Sequence, residues 1–174
     1  HKLSLYFKDK TEGIFIEAGA NDGLTQSNTM FFEFYKNWTG LLFEPVKQLA
    51  QKCTENRSLK TLTIFGALSD KTGTIELIYT PECNGLLTVV NDEHAETLMR
   101  RTKEKGSLIT VLAFKLGECI KTNLAHNVKI DFLSLDVEGH ELKVLKGIDF
   151  DSTYIEYLLI EELNKTPDIA QYLS

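Results

Sequence analysis

Three acidic stretches have the residue types and spacing for chemistry. The first, Glu17-Ala-Gly19-Ala-Asn21-Asp-Gly23, places glycines where a strand turns into a helix. Such a turn lets the backbone pass close to a ligand, and the helix start offers N–H groups to an anion. Glu17 changes that expectation. A carboxylate there would repel a pyrophosphate lying over the turn, and would suit a cation such as an ammonium or sulfonium group. The plainer reading is a solvated strand-end carboxylate beside a tight turn. The second stretch is Glu44-Pro45, closing another apolar run. In a nucleotide-binding α/β sheet this position accepts hydrogen bonds from ribose hydroxyls, although the pair would equally serve a helix N-terminus. The third is Asp136-Val-Glu138-Gly-His140-Glu141, at the end of a strand where parallel sheets hold their ligands. Glu138 and His140 are candidate bases, His140 having the intrinsic pKa nearer neutrality. Glu138 and Glu141 would otherwise cap the next helix, with His140 on its surface. Asp136 and Glu138 with Glu161 would also make an oxygen-rich set for a divalent ion, but no metal is assigned.

These residues need a framework that brings strand ends together, and the hydrophobic pattern supplies one. Gly13 to Ala18, Gly40 to Glu44 and Leu62 to Leu68 read as strands, separated by helical patterns over Ser27 to Trp38 and from Pro45 through Cys53. That β-α-β-α-β order marks a doubly wound, mostly parallel sheet of Rossmann-like type. Thr74 to Tyr79 alternates as a hairpin arm would, Pro81 to Thr88 reads as a loop with an Asn84-Gly85 turn, and Asn91 to Lys105 reads as a helix. Thr110 to Phe114, Ile130 to Leu135 and Tyr154 to Ile160 are further strands. Leu116 to Lys121, His140 to Lys146 and Asp168 to Leu173 are helices.

The chain has 174 residues, 43% hydrophobic and 25% charged, with a net charge of −6. A single domain, 1–174, is expected at this size. The acidic balance argues against a generic nucleic-acid binder. The basic cluster Arg100, Arg101, Lys103 and Lys105 reads as a solvated helix end. No apolar run is long enough to span a membrane, so the expectation is a soluble, cytoplasmic chain of unknown oligomeric state. Its three cysteines show no metal-ligand spacing.

Five motifs in order, Phe15-Ile-Glu-Ala-Gly-Ala-Asn-Asp-Gly, Ser27-Asn-Thr, Trp38-Thr-Gly-Leu-Leu-Phe-Glu-Pro, Ala67-Leu-Ser-Asp-Lys-Thr-Gly and Asp131-Phe-Leu-Ser-Leu-Asp-Val-Glu-Gly-His-Glu, carry a resemblance. The sequence resembles the FkbM-type S-adenosylmethionine-dependent methyltransferases, a class I, Rossmann-like branch. That resemblance implies S-adenosyl-L-methionine as cofactor. It places Glu17, Gly19, Ala20, Asn21, Gly23 and Asp136 around the methionine portion and Glu44 with Pro45 at the ribose. Ala67, Leu68, Ser69 and Asp70 would lie near the adenine. Asp136, Glu138 and His140 would face the reaction, with O-methylation of a small-molecule or saccharide hydroxyl expected. The resemblance also implies antiparallel strands beyond the fifth parallel one, which this chain would lack. Two other classes remain in view: a non-catalytic interaction module of the same fold, and an NAD-type oxidoreductase. The latter is disfavoured by Glu17 and by the missing G-x-G-x-x-G.

Overall fold

The computed structural model describes residues 3–80, 86–89, 106–161 and 167–174. Strands β1 (Ile14–Ala18), β2 (Thr39–Glu44), β3 (Thr61–Phe65), β8 (Lys129–Leu135) and β9 (Tyr154–Ile160) form one sheet in the order β3-β2-β1-β8-β9, every pair parallel. The central strands are buried on both faces, which is why they read as continuous apolar runs. Strand order reverses between β1 and β8, and an open parallel sheet forms its crevice at that point.

Alternate side chains of the strands feed two cores. On one face Phe15, Leu42 and Phe132 pack with Phe7, Phe32, Trp38 and Cys53. These come from α1 (Ser4–Phe7), α2 (Met30–Lys36), the residues just after α2, and α3 (Lys47–Asn56). On the other face Ile16, Leu41, Phe43 and Leu133 pack against α4 (Leu116–Asn123) and α5 (Glu141–Lys146), with Ile169 of α6 (Pro167–Tyr172) alongside. Truncating a fully enclosed ring such as Phe15 or Phe132 to alanine would cost about 3–5 kcal/mol.

A second, mixed sheet carries the expected hairpin. Its order is β4 (Ala67–Leu68), β7 (Ser107–Phe114), β5 (Gly73–Thr80), β6 (Leu86–Val89). The Leu62 to Leu68 run therefore divides. Gly66, at φ 153° with the Phe114 ring against it, hands the chain from the first sheet to the second. β5 pairs antiparallel with β7 and β6, while β4 lies parallel to β7. Residues 86–89 are strand rather than loop, because β5 supplies their backbone partners. The predicted helix over Asn91 to Lys105, with its basic cluster, and the Asn84-Gly85 turn lie outside the described residues. Among those described, no helix is long and apolar enough to cross a membrane.

The Ser27 to Trp38 helix begins later and ends sooner than its apolar spacing implied. The Ser27 Oγ accepts hydrogen bonds from the N–H groups of Thr29 and Met30, which holds residues 27–29 as a turn before α2. At the other end Asn37 takes a left-handed φ of 57° as C-cap.

Candidate active site

A cavity of about 270 Å³ opens at the carboxyl ends of β1, β2 and β8. Gly19 makes this geometry possible. Its φ is 81°, and a Cβ there would run into the Asp136 carbonyl, so only glycine lets β1 and β8 close at this level. The N–H groups of Gly19 and Ala20 both donate to the Phe43 carbonyl, each at 3.1 Å, and the Asp136 N–H donates to the Ala18 carbonyl. Three strand ends are thereby tied to one rim.

Glu44 joins the turns that follow β1 and β2. Its Oε2 accepts from the Asn21 N–H at 2.9 Å and its Oε1 from the Val46 N–H at 2.8 Å. Burial pushes its pKa up to about 7 despite those two bonds. Asn21, at φ 52°, has its carbonyl against the Cys53 Sγ, whose thiol burial pushes up to about 12.

Glu17 is not the solvated strand-end group of the plainer sequence reading. It lines the cavity, yet is buried, and its carboxylate accepts from Ser27 Oγ, Asn28 N–H and Thr29 Oγ1. A guanidinium nitrogen of Arg57 stands 3.6 Å from it. The start of α2 offers little to an anion, because the N–H groups of Asn28, Thr29 and Met30 already have side-chain acceptors.

Across the cavity, oxygens of Asp136, Glu138 and Glu161 lie within 4.8 Å of one another. Burial, followed by the charges of Asp136 and Glu141, raises Glu138 to about 7. Burial, a hydrogen bond with Asp136 and the neighbouring acids bring Glu161 to about 7 as well. Glu138 takes a φ of 56°. The two glutamates of this stretch divide their tasks. Glu141 Oε1 accepts from the Val137 and Gly139 N–H groups at the start of α5, whereas Glu138 lines the cavity. His140 is the N-cap residue of α5 and is buried at 7% exposure, with its Nε2 3.0 Å from Ser69 Oγ.

Of the residues singled out from sequence, Glu17, Gly19, Asn21, Glu44, Pro45, Ala67, Leu68, Asp136, Glu138 and His140 line this one cavity. Ala20, Gly23, Ser69 and Asp70 do not. Ala20 belongs to the core beneath the turn, and Gly23 presents its carbonyl to Arg57. Ser69 and Asp70 sit behind the cavity wall, bonded to each other, with Lys143 facing Asp70 at 3.7 Å. Sequence reasoning missed the apolar wall of Leu49, Ile75 and Leu77, the polar Thr25 and Gln26, and Arg57. The one available signal for Arg57 was a lone basic residue ending an amphipathic helix.

The comparisons with known proteins bear on this geometry. A family model for the methyltransferase FkbM domain matches residues 17–174. The chain belongs to the FkbM methyltransferase family. The FkbM match starts at Glu17, the first acid of the cavity, and runs through the Asp136 to Glu141 stretch. Among curated proteins, the chain is similar to "Methyltransferase sdnD" of Sordaria araneosa, 28% identical over 156 residues. That alignment covers 77% of this chain and 60% of the relative, so the chain spans about three-fifths of the length of the curated relative it matches. No solved structure matches.

Proposed function

We propose that this domain transfers a methyl group from S-adenosyl-L-methionine to a hydroxyl oxygen of a small molecule or saccharide. One observation carries the reading. The cavity is lined by four carboxylates, Glu17, Glu44, Asp136 and Glu138, and among the described residues by no lysine or arginine. Such a lining favours a ligand bearing sulfonium and ammonium charges and opposes a pyrophosphate, which argues against an NAD-type oxidoreductase.

The residues present fit that cofactor. Each Glu44 oxygen already accepts one backbone N–H, and a carboxylate oxygen has a second lone pair. Two acceptor sites therefore remain, a match for the two ribose hydroxyls. Pro45, Ala67 and Leu68, with Leu49, Ile75 and Leu77, form an apolar slot suited to the adenine. Glu17, Gly19, Asn21 and Asp136 surround the methionine end, with Ala20 and Gly23 supporting the turn and Ser69 and Asp70 supporting the adenine wall from behind. When bound, the cofactor supplies an electrophilic methyl carbon on its sulfonium.

Glu138 is the group we assign to take the acceptor's hydroxyl proton. It lines the cavity, and a pKa near 7 leaves it about half ionised at neutrality, close to the optimum for a general base. His140, enclosed and bonded to Ser69, is read instead as holding the start of α5 against β4. Asp136, hydrogen-bonded to Glu161 and lining the cavity, adds to the negative field around the reacting end.

The two cores share one sheet, which supports reading residues 1–174 as one methyltransferase domain. Thermal-shift titration tests the cofactor. S-adenosylmethionine at ~100 times its dissociation constant should stabilise the fold by about 2.7 kcal/mol, and NAD should not. A labelled-methyl transfer screen against cell extract then tests turnover. Binding without transfer to any component would favour the non-catalytic module.

A further inference from the structure

Arg57 follows α3 as its C-cap residue, and its side chain has no solvent exposure. Its guanidinium lies over the Phe15 ring, 5.3 Å from the centroid. Nε donates to Glu33 Oε2 at 2.6 Å, and Nη2 pairs with the same carboxylate oxygen. Nη1 donates to the Gly23 carbonyl at 3.1 Å and Ser27 Oγ at 3.3 Å, and Nη2 to Thr29 Oγ1 at 3.0 Å. Thr29 in turn donates to Glu17 Oε2, which also faces Nη1.

One planar cation thus joins the end of β1, the glycine turn, the loop before α2 and α2 itself. Among the described residues, none of its hydrogen bonds or ion pairs reaches Glu44 or the apolar slot. Glu17 and Glu33 share the single guanidinium, with Glu17 at the cavity. A buried ion pair is weak evidence of stabilisation, because desolvation opposes the attraction. Its fork geometry does fix the relative placement of everything it touches.

We propose that Arg57 is a positioning residue, holding the Glu17 to Thr29 wall in the shape that receives the aminocarboxypropyl arm of the cofactor. This inference rests on the cofactor reading above and extends it: Arg57 sets affinity for the arm and leaves affinity for the nucleoside unchanged. Lysine retains the charge and cannot reproduce the fork. Valine at position 29 keeps the shape of threonine while breaking the bridge from Arg57 through Thr29 Oγ1 to Glu17, leaving the contacts to Ser27 and Gly23 in place.

The test compares two ligands by calorimetry, S-adenosylhomocysteine, which has the arm, and 5′-methylthioadenosine, which lacks it. For Arg57→Lys and for Thr29→Val we expect S-adenosylhomocysteine to bind about tenfold more weakly, and 5′-methylthioadenosine to stay within about twofold of wild type. Equal weakening of both ligands would make Arg57 a fold-stabilising residue only and would overturn the proposal, as would unchanged binding of both. If circular dichroism shows the Arg57 variant unfolded, the Thr29 variant decides by the same two criteria. Wild-type protein that binds neither ligand removes the cofactor reading together with this one. Wild-type binding with an unmoved ratio removes only the role given to Arg57.

Discussion

The Oγ of Ser69 and the Nε2 of His140 meet at 3.0 Å inside the protein, joining the end of β4 to the start of α5. This contact removes His140 from the surface position that its place at a helix start implied. It also separates the two candidate bases. Glu138 should carry the pH dependence of turnover. In wild type, kcat/KM should rise through an apparent pKa near 7 as Glu138 loses its proton. Glu138→Gln should lower kcat about 10²–10⁴-fold and abolish that limb. His140→Ala should lose about 1 kcal/mol of stability and keep the limb. A limb that vanishes in the histidine variant and survives in the glutamine variant would reverse the assignment.

Glu44→Ala should weaken S-adenosylhomocysteine by about 100-fold, since hydrogen bonds to a charged acceptor are lost and the Asn21 and Val46 N–H groups lose their partner. Glu44→Gln, which keeps one acceptor oxygen, should be milder. Calorimetry measures both, and unchanged affinity in the alanine variant would contradict the ribose assignment.

Stability should fall with rising pH across neutrality. Glu44, Glu138 and Glu161 all stand near 7 in the folded chain against an ordinary value of 4.5. A carboxyl that holds its proton more tightly when folded contributes stability fully below its unfolded pKa, and loses it as pH climbs through the folded one. The thermal midpoint of the ligand-free protein should therefore drop between about pH 5 and pH 8, and drop less in Glu138→Gln. A flat profile over that window would speak against the raised values.

Gly19→Ala should destabilise by more than ~1 kcal/mol, because it combines a left-handed φ with a Cβ that meets the Asp136 carbonyl. The reading is a lower urea midpoint at an unchanged m-value. If alanine is tolerated, β1 and β8 are not as close at this level as described.

The parallel sheet was legible because β1, β2 and β8 are buried on both faces, so their apolar runs were unambiguous. The second sheet was harder. Leu86–Val89 owes its strand conformation to β5, and no local pattern within four residues records a partner. Glu17, Gly19, Asn21 and Glu44 could be placed together because they end adjacent strands, and parallel register carries that adjacency into space. Ser69 and Asp70 could not be separated from Ala67 and Leu68 by sequence alone. Only the turn of the chain after β4 puts the first pair behind the wall. Arg57 and Glu33 are informative only once α2 and α3 are packed side by side.

The position of β8 beside β1 bears on how the chain comes to exist at all. The Ile14 N–H donates to an Asp131 carboxylate oxygen from 117 residues away, and the two strands run in register from Phe15 and Phe132 onward. During synthesis, β1 acquires its β2 neighbour early, but its other side stays open until nearly three-quarters of these residues have been made. At ~5–20 residues per second that interval lasts several seconds or more, with the central edge of the sheet bare. Long-range parallel pairing of this kind also slows folding. The topology that creates the crevice therefore makes the nascent chain a candidate client for chaperones.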